Sequence, residues 1–279
     1  MTATNPSGLG PAVTLPNGKV TYASGGGVAL ITLVNPPANG YSHAMMRDLD
    51  EAVLRARFDD AVHVIVLAGA GEKFFCAGAD IAMLHDVTRS FKYQFCLHAN
   101  ETLLRLEHTP KIVIAALGGH CVGGGLEIAL ACDLRIARKG SGKCGLPEIT
   151  LGVLPGTGGT QRLARVVGKG KAIELMAAGR LCDYDEALSL GIVNEVREAP
   201  DDAAFVQQVV EHARGFCAPG RAALAVGLMK RSVQTGLEVP LEAGLALERE
   251  LQARLFASDD AREGIAAFVE KRPARFEGR

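Results

Sequence analysis

Three short apolar runs set the rhythm of the chain. Val28-Ala-Leu-Ile-Thr-Leu-Val34 is rich in β-branched residues and is closed by Asn35-Pro36-Pro37. Val62-His-Val-Ile-Val-Leu67 runs into Ala68-Gly-Ala-Gly71, and Ile112-Val-Ile-Ala-Ala-Leu117 runs into Gly118-Gly119. Runs of this length bounded by glycine or proline predict buried strands that end at turns. Between them, Ser42 to Phe58 and Arg89 to Glu107 carry apolar positions at helical spacing with charges on the other face. Strands alternating with helices predict an α/β fold. From about Pro200 the strand-like runs stop, and helical patterns follow over 201–217, 219–235, 239–257 and 259–271. Three regions result: a flexible tail over 1–19, an α/β core over 20–199, and a helical region over 200–279 whose apolar faces can cover the core or a neighbouring subunit.

Composition narrows the class. Hydrophobic residues make up 48% and charged residues 22% of the 279, as in ordinary globular proteins. The 30 Lys and Arg against 31 Asp and Glu leave a formal charge of -1, which is not the basic footprint of a nucleic-acid binder, so no nucleic-acid partner is expected. The seven cysteines are odd in number, scattered, and without CxxC spacing, which points to reduced thiols in a cytoplasmic setting and to no metal site. No secretory or transit segment is visible in the first 18 residues, and no apolar stretch is long and unbroken enough to cross a membrane.

The chemistry concentrates at glycines followed by carboxylates. Gly123-Gly124-Gly125 follows a predicted strand and precedes a helix over Leu126 to about Cys132, a place where free backbone N–H groups can hold a developing negative oxygen. Three glycines can equally serve tight packing alone. Glu127 then stands among Leu126, Ile128, Ala129 and Leu130, where an unpaired carboxylate is costly; a partly exposed glutamate near a helix N-terminus is the plainer alternative. Phe75-Cys-Ala-Gly-Ala-Asp-Ile81 is a second small-residue turn, able to supply a second N–H donor, although Asp80 taken alone reads as a helix cap. Glu148 follows Gly145-Leu146-Pro147, just before Gly156-Thr157-Gly158-Gly159; alone it reads as a solvated loop residue. The glycine loop lacks the Lys-Ser or Lys-Thr of a phosphate-binding P-loop. No GxSxG elbow or HExxH helix occurs, and His120 beside the glycines reads as a packed or solvent-facing side chain.

In this order, FCAGADI at 75–81, GGGLEIALACDL at 123–134, LPEITLGVLPGTGGTQRLARVVG at 146–168 and SDDAREGIAAFVEKRPARF at 258–276 resemble the crotonase, or enoyl-CoA hydratase/isomerase, superfamily. The resemblance runs from about Val28 to the C-terminus and implies a spiral of ββα units followed by a helical trimerisation region. It further implies that the N–H groups of Ala79 and Gly124 form an oxyanion hole around the thioester oxygen of an acyl-CoA. Glu127 and Glu148 fall on the two glutamates of enoyl-CoA hydratases, and Gly156 on the glycine whose N–H orients the second. Ala77, Asp80, Ile81, Ala82 and Gly125 would line the substrate path. Ala82 replaces a lysine common near the CoA phosphates, so Lys271 or Arg275, from this chain or a neighbouring subunit, would supply that charge. Asn39-Gly40-Tyr41 stands where Asn-Ala-Leu is more usual.

The implied reaction is addition of water to a 2-enoyl-CoA of fatty acid metabolism, giving a 3-hydroxyacyl-CoA. CoA enters as part of the substrate and no separate cofactor is needed. A homotrimer or a dimer of trimers is expected. The rivals are a Δ3,Δ2 isomerase or another acyl-CoA enzyme on the same scaffold, and, from another class, a non-catalytic or RNA-binding relative. Two glutamates favour hydration, because isomerisation can proceed with a single base.

Overall fold

The computed structural model describes residues 8–279. In chain order the strands are β1 (Val13–Thr14), β2 (Val20–Gly25), β3 (Val28–Leu33), β4 (Val64–Gly69), β5 (Phe74–Cys76), β6 (Ile112–Leu117), β7 (His120–Val122), β8 (Leu134–Arg138), β9 (Lys143–Gly145), β10 (Leu181–Asp183) and β11 (Glu195–Arg197). The helices are α1 (His43–Phe58), α2 (Ile81–Asp86), α3 (Arg89–Glu107), α4 (Gly124–Leu130), α5 (Gly159–Val167), α6 (Lys169–Ala177), α7 (Tyr184–Ser189), α8 (Asp202–Arg214), α9 (Ala223–Gly236), α10 (Leu241–Phe256) and α11 (Asp259–Glu270).

A seven-stranded sheet in the order β1-β2-β3-β4-β6-β8-β11 stands beside a four-stranded sheet in the order β10-β9-β7-β5. From β3 to β11 the large sheet is parallel, whereas β1, β2 and β3 pair antiparallel. Every residue of β4 and β6 is buried, because helices or the second sheet cover both faces of these central strands. Successive side chains divide between the faces. Ile65, Leu67, Val113, Ala115 and Leu117 join one core with α1, α3 and α4. Val64, Val66, Ile112 and Ile114 join a second core with Phe205 and Val209 of α8.

The helices begin at side-chain caps where the sequence provides them. Ser42 accepts from the Met45 N–H, Thr88 from Phe91, and Ser258 from Ala261. Residues 8–19 depart from the expected tail: β1 pairs with β2 in register Val13↔Tyr22, and Leu9 and Leu15 are buried. Packing of these two leucines holds a segment that composition alone marks as loose; residues 1–7 lie outside the described residues. Across the small sheet, Cys76, Cys121, Cys144 and Cys182 stand at paired positions on four neighbouring strands, all buried as free thiols. Among the described residues no helix is long and apolar enough to cross a membrane.

Helix α9 is fastened to this core by a buried cation. Lys230 Nζ lies 2.8 Å from Asp133 Oδ2 and donates to the Lys111 carbonyl at 2.9 Å, while Asp133 also accepts from the Val113 N–H at 2.7 Å. Burial still pushes the Asp133 carboxyl up, so the pair offsets the desolvation only in part. Replacing Lys230 by Met is expected to lower stability by about 2–4 kcal/mol, since Asp133 is left unpaired with little solvent. Chemical denaturation checks this, and Asp133→Asn in the same background should recover part of the loss.

Candidate active site

Two glycine turns meet where the small sheet ends. Gly78 follows β5 with φ of 96°, and Gly123 follows β7 with φ of 56°; both values favour glycine. A Cβ added to Gly78 would sit 3.1 Å from Gly124 N, so the two turns touch. Tyr41 flanks the first turn: its N–H donates to the Gly78 carbonyl at 2.9 Å and its carbonyl accepts from Asp80 N–H at 3.0 Å. These bonds straddle Ala79, whose own N–H is therefore directed to the opposite side. Gly124 is the first residue of α4, where an N–H has no intrahelical acceptor. Among the described residues, neither the Ala79 nor the Gly124 N–H donates a hydrogen bond.

Both residues line a cavity of about 270 Å³ together with Ala77, Ile81, Glu127, Glu148 and Gly156. The outer wall is apolar and open, with Leu151, Val153 and Leu154 more than half exposed, and Lys92 adds an ammonium. An exposed cluster of large apolar side chains beside polar groups suits a ligand with an apolar arm.

The two carboxylates are held differently. Glu127 is 2% exposed, and its Oε1 accepts from the N–H groups of Thr157 at 2.7 Å and Gly159 at 2.8 Å. Its Oε2 accepts from the Thr157 hydroxyl. Gly159 opens α5, so the carboxylate closes the N-terminus of that helix, where partial positive charge collects. Glu148 begins a short 3-10 turn over Glu148–Leu151, and its Oε2 is buried without a partner among the described residues. Burial, with a smaller contribution from the charge of Glu127, pushes the Glu148 carboxyl up from its ordinary 4.5 to about 7; its own backbone N–H opposes the shift.

The structure thus brings together six of the residues singled out above, Ala77, Ala79, Ile81, Gly124, Glu127 and Glu148, with Gly156 at the rim. The others lie elsewhere or outside the described side chains. Asp80 caps α2 by accepting from the Met83 N–H at 3.2 Å instead of facing the cavity. Gly125 is turned toward β5, where an added Cβ would lie 2.1 Å from the Cys76 carbonyl oxygen. Among the described residues the Gly156 N–H makes no bond to Glu148; the loop's N–H groups at Thr157 and Gly159 serve Glu127 instead. Ala82 is the second residue of α2, and its side chain lies outside the described residues. Lys271 follows α11 at φ of 55° and does not line the cavity of its own chain. Sequence reasoning did not find Tyr41 or Thr157. The signal for Thr157 was the GTGG loop itself, whose N–H groups needed an acceptor once a phosphate was ruled out.

Known proteins resemble this chain in sequence and in fold. The sequence model of the enoyl-CoA hydratase/isomerase family matches residues 23–279. The short-chain-enoyl-CoA hydratase of Clostridium acetobutylicum is 36% identical over 88% of this chain and 93% of its own. The mitochondrial methylglutaconyl-CoA hydratase of Mus musculus is 37% identical over 86% of this chain and 76% of its own. Among solved structures, an enoyl-CoA hydratase from Bacillus anthracis superposes with a TM-score of 0.87 at 33% identity, covering 94% of this chain and all of the other.

The raised carboxyl of Glu148 has a consequence for stability. Its folded pKa lies above its ordinary value, so its contribution is intact below about pH 4.5 and is lost as pH rises through about 7. Glu148→Gln, which stays neutral throughout, is expected to match the unsubstituted protein at the acid end and to have the higher unfolding midpoint above about pH 7. Thermal unfolding at a series of pH values checks this; a gap that does not widen with pH would contradict it.

Proposed function

The chain belongs to the enoyl-CoA hydratase/isomerase family, and from that premise we propose that it hydrates 2-enoyl-CoA thioesters to 3-hydroxyacyl-CoA. The observation that carries the proposal is the pair of unlike carboxylates in one cavity with two undonated N–H groups. In the hydration, the water oxygen bonds to the β-carbon and electron density moves through the double bond onto the thioester oxygen. The N–H groups of Ala79 and Gly124 receive that oxygen; one such preorganised donor is typically worth about 3–4 kcal/mol in the transition state.

Two protons must also move. Glu127, fixed by donors on both oxygens, orients the water and accepts its proton. Glu148, whose raised pKa keeps a substantial protonated fraction near neutral pH, delivers a proton to the α-carbon. A proton passing from Glu127 to Glu148 restores the starting state. The apolar wall formed by Leu151, Val153 and Leu154 would take the acyl arm. Relatives named for short-chain and for methylglutaconyl substrates support the thioester class without choosing the acyl group.

The C-terminal helices fit a second role, the joining of subunits. Leu237, Leu241, Phe268 and Val269 are at least 74% exposed, an apolar load that a homotrimer or dimer of trimers would cover. Leu237→Glu is expected to shift the protein toward a smaller species in sedimentation velocity.

Hydration is tested by following loss of the conjugated thioester absorbance of crotonyl-CoA. Glu127→Gln and Glu148→Gln are each expected to lower kcat by about 10²-fold or more, the scale of general acid–base catalysis. An unsubstituted protein that binds crotonyl-CoA and leaves it unchanged would redirect the reading to isomerisation or a non-catalytic role.

A further inference from the structure

We infer that Tyr41 is a positioning residue of this site, a single residue whose backbone and ring fix the two N–H donors relative to each other and whose hydroxyl aims the Glu127 carboxylate. The inference rests on the hydration reading, and three contacts lead to it. The backbone of Tyr41 brackets Ala79 through bonds to Gly78 and Asp80, which sets the direction of the Ala79 N–H. Its ring lies against Gly124: a Cβ added there would sit 1.9 Å from Tyr41 Cε1, so only a glycine lets the second donor approach this wall. Its hydroxyl is 3.3 Å from Thr157 Oγ1, and Thr157 in turn bonds Glu127.

The last contact has a definite polarity. A hydroxyl carries one proton, and Thr157 gives its proton to Glu127 Oε2. Thr157 Oγ1 is then an acceptor for the Tyr41 O–H, so the chain runs from Tyr41 through Thr157 to the carboxylate. Hydrogen bonds in series polarise one another in a dry site. Tyr41 is 3% exposed and its ring packs 5.6 Å from that of Phe95, centroid to centroid, which leaves the phenol little freedom to turn elsewhere. Burial first, then the charge of Glu127 and the neighbouring Cys76 and Cys96 thiols, push the phenol far above its ordinary range, so it remains a donor. Tyr41 does not transfer a proton in this scheme; it holds the group that does.

Tyr41→Phe keeps the ring against Gly124 and removes only the start of the chain. In crotonyl-CoA hydration it is expected to lower kcat about tenfold, the upper end of what one neutral hydrogen bond is worth, and to leave KM within about twofold. Thr157→Val is expected to act likewise, and the double variant to be no slower than the worse single one, because both break the same chain. An unchanged kcat, a loss confined to KM, or multiplicative losses would overturn the inference while leaving hydration intact. The same cycle on unfolding midpoints does not depend on turnover. There, Tyr41→Phe should lower the midpoint of the unsubstituted protein but not that of Thr157→Val, in which the phenol has already lost its partner; additive shifts would refute the link. Inactivity of the unsubstituted protein toward crotonyl-CoA would sink the hydration reading separately, and the midpoint cycle would still decide whether Tyr41 and Thr157 are joined.

Discussion

A carboxylate only 2% exposed in an apolar layer requires donors, and the structure is arranged around the three that Glu127 receives. Without them the burial would go uncompensated, since unpaired burial of a charge costs several kcal/mol. The donors come from the GTGG loop and the first turn of α5, so Glu127 joins the helix that follows one glycine turn to the helix that follows another. Leu154, two residues before that loop's first glycine, and Gly156 within it line the cavity, so the loop whose donors satisfy Glu127 is continuous with the cavity wall.

Glu148 obeys the opposite rule. It sits on a single 3-10 turn, its Oε2 is without a partner among the described residues, and its carboxyl is pushed up to about 7. Two identical side chains are thus made chemically distinct by what surrounds them: one is held by three donors, the other is poorly solvated and lacks a partner at Oε2 among the described residues. A reaction that must take a proton in one place and give one in another needs such an asymmetry.

Much of this was legible in the sequence, for identifiable reasons. Strand Ile112–Leu117 and helix Arg89–Glu107 appear with the expected bounds because a continuous apolar run and a long helical period leave little choice. The three-residue strands Phe74–Cys76, His120–Val122 and Lys143–Gly145 were not legible, because a period of two needs more residues to show itself and these strands are held by their neighbours across the small sheet. In the site, glycines beside glutamates marked Gly124, Glu127 and Glu148. Tyr41 escaped because its role depends on contacts with Gly124 and Thr157, both remote in the chain, and nothing local in Asn39-Gly40-Tyr41 signals them. Asp80 shows the reverse case: its local reading as a helix cap was the correct one.

The capping of α5 by Glu127 also bears on how such a site can change over generations. A substitution at Glu148 falls on a side chain whose Oε2 bonds no other group among the described residues. A substitution at Glu127 disturbs a helix N-terminus, a loop and the cavity wall together. Change at Glu148 and along the open apolar wall is therefore cheaper for this architecture than change at Glu127.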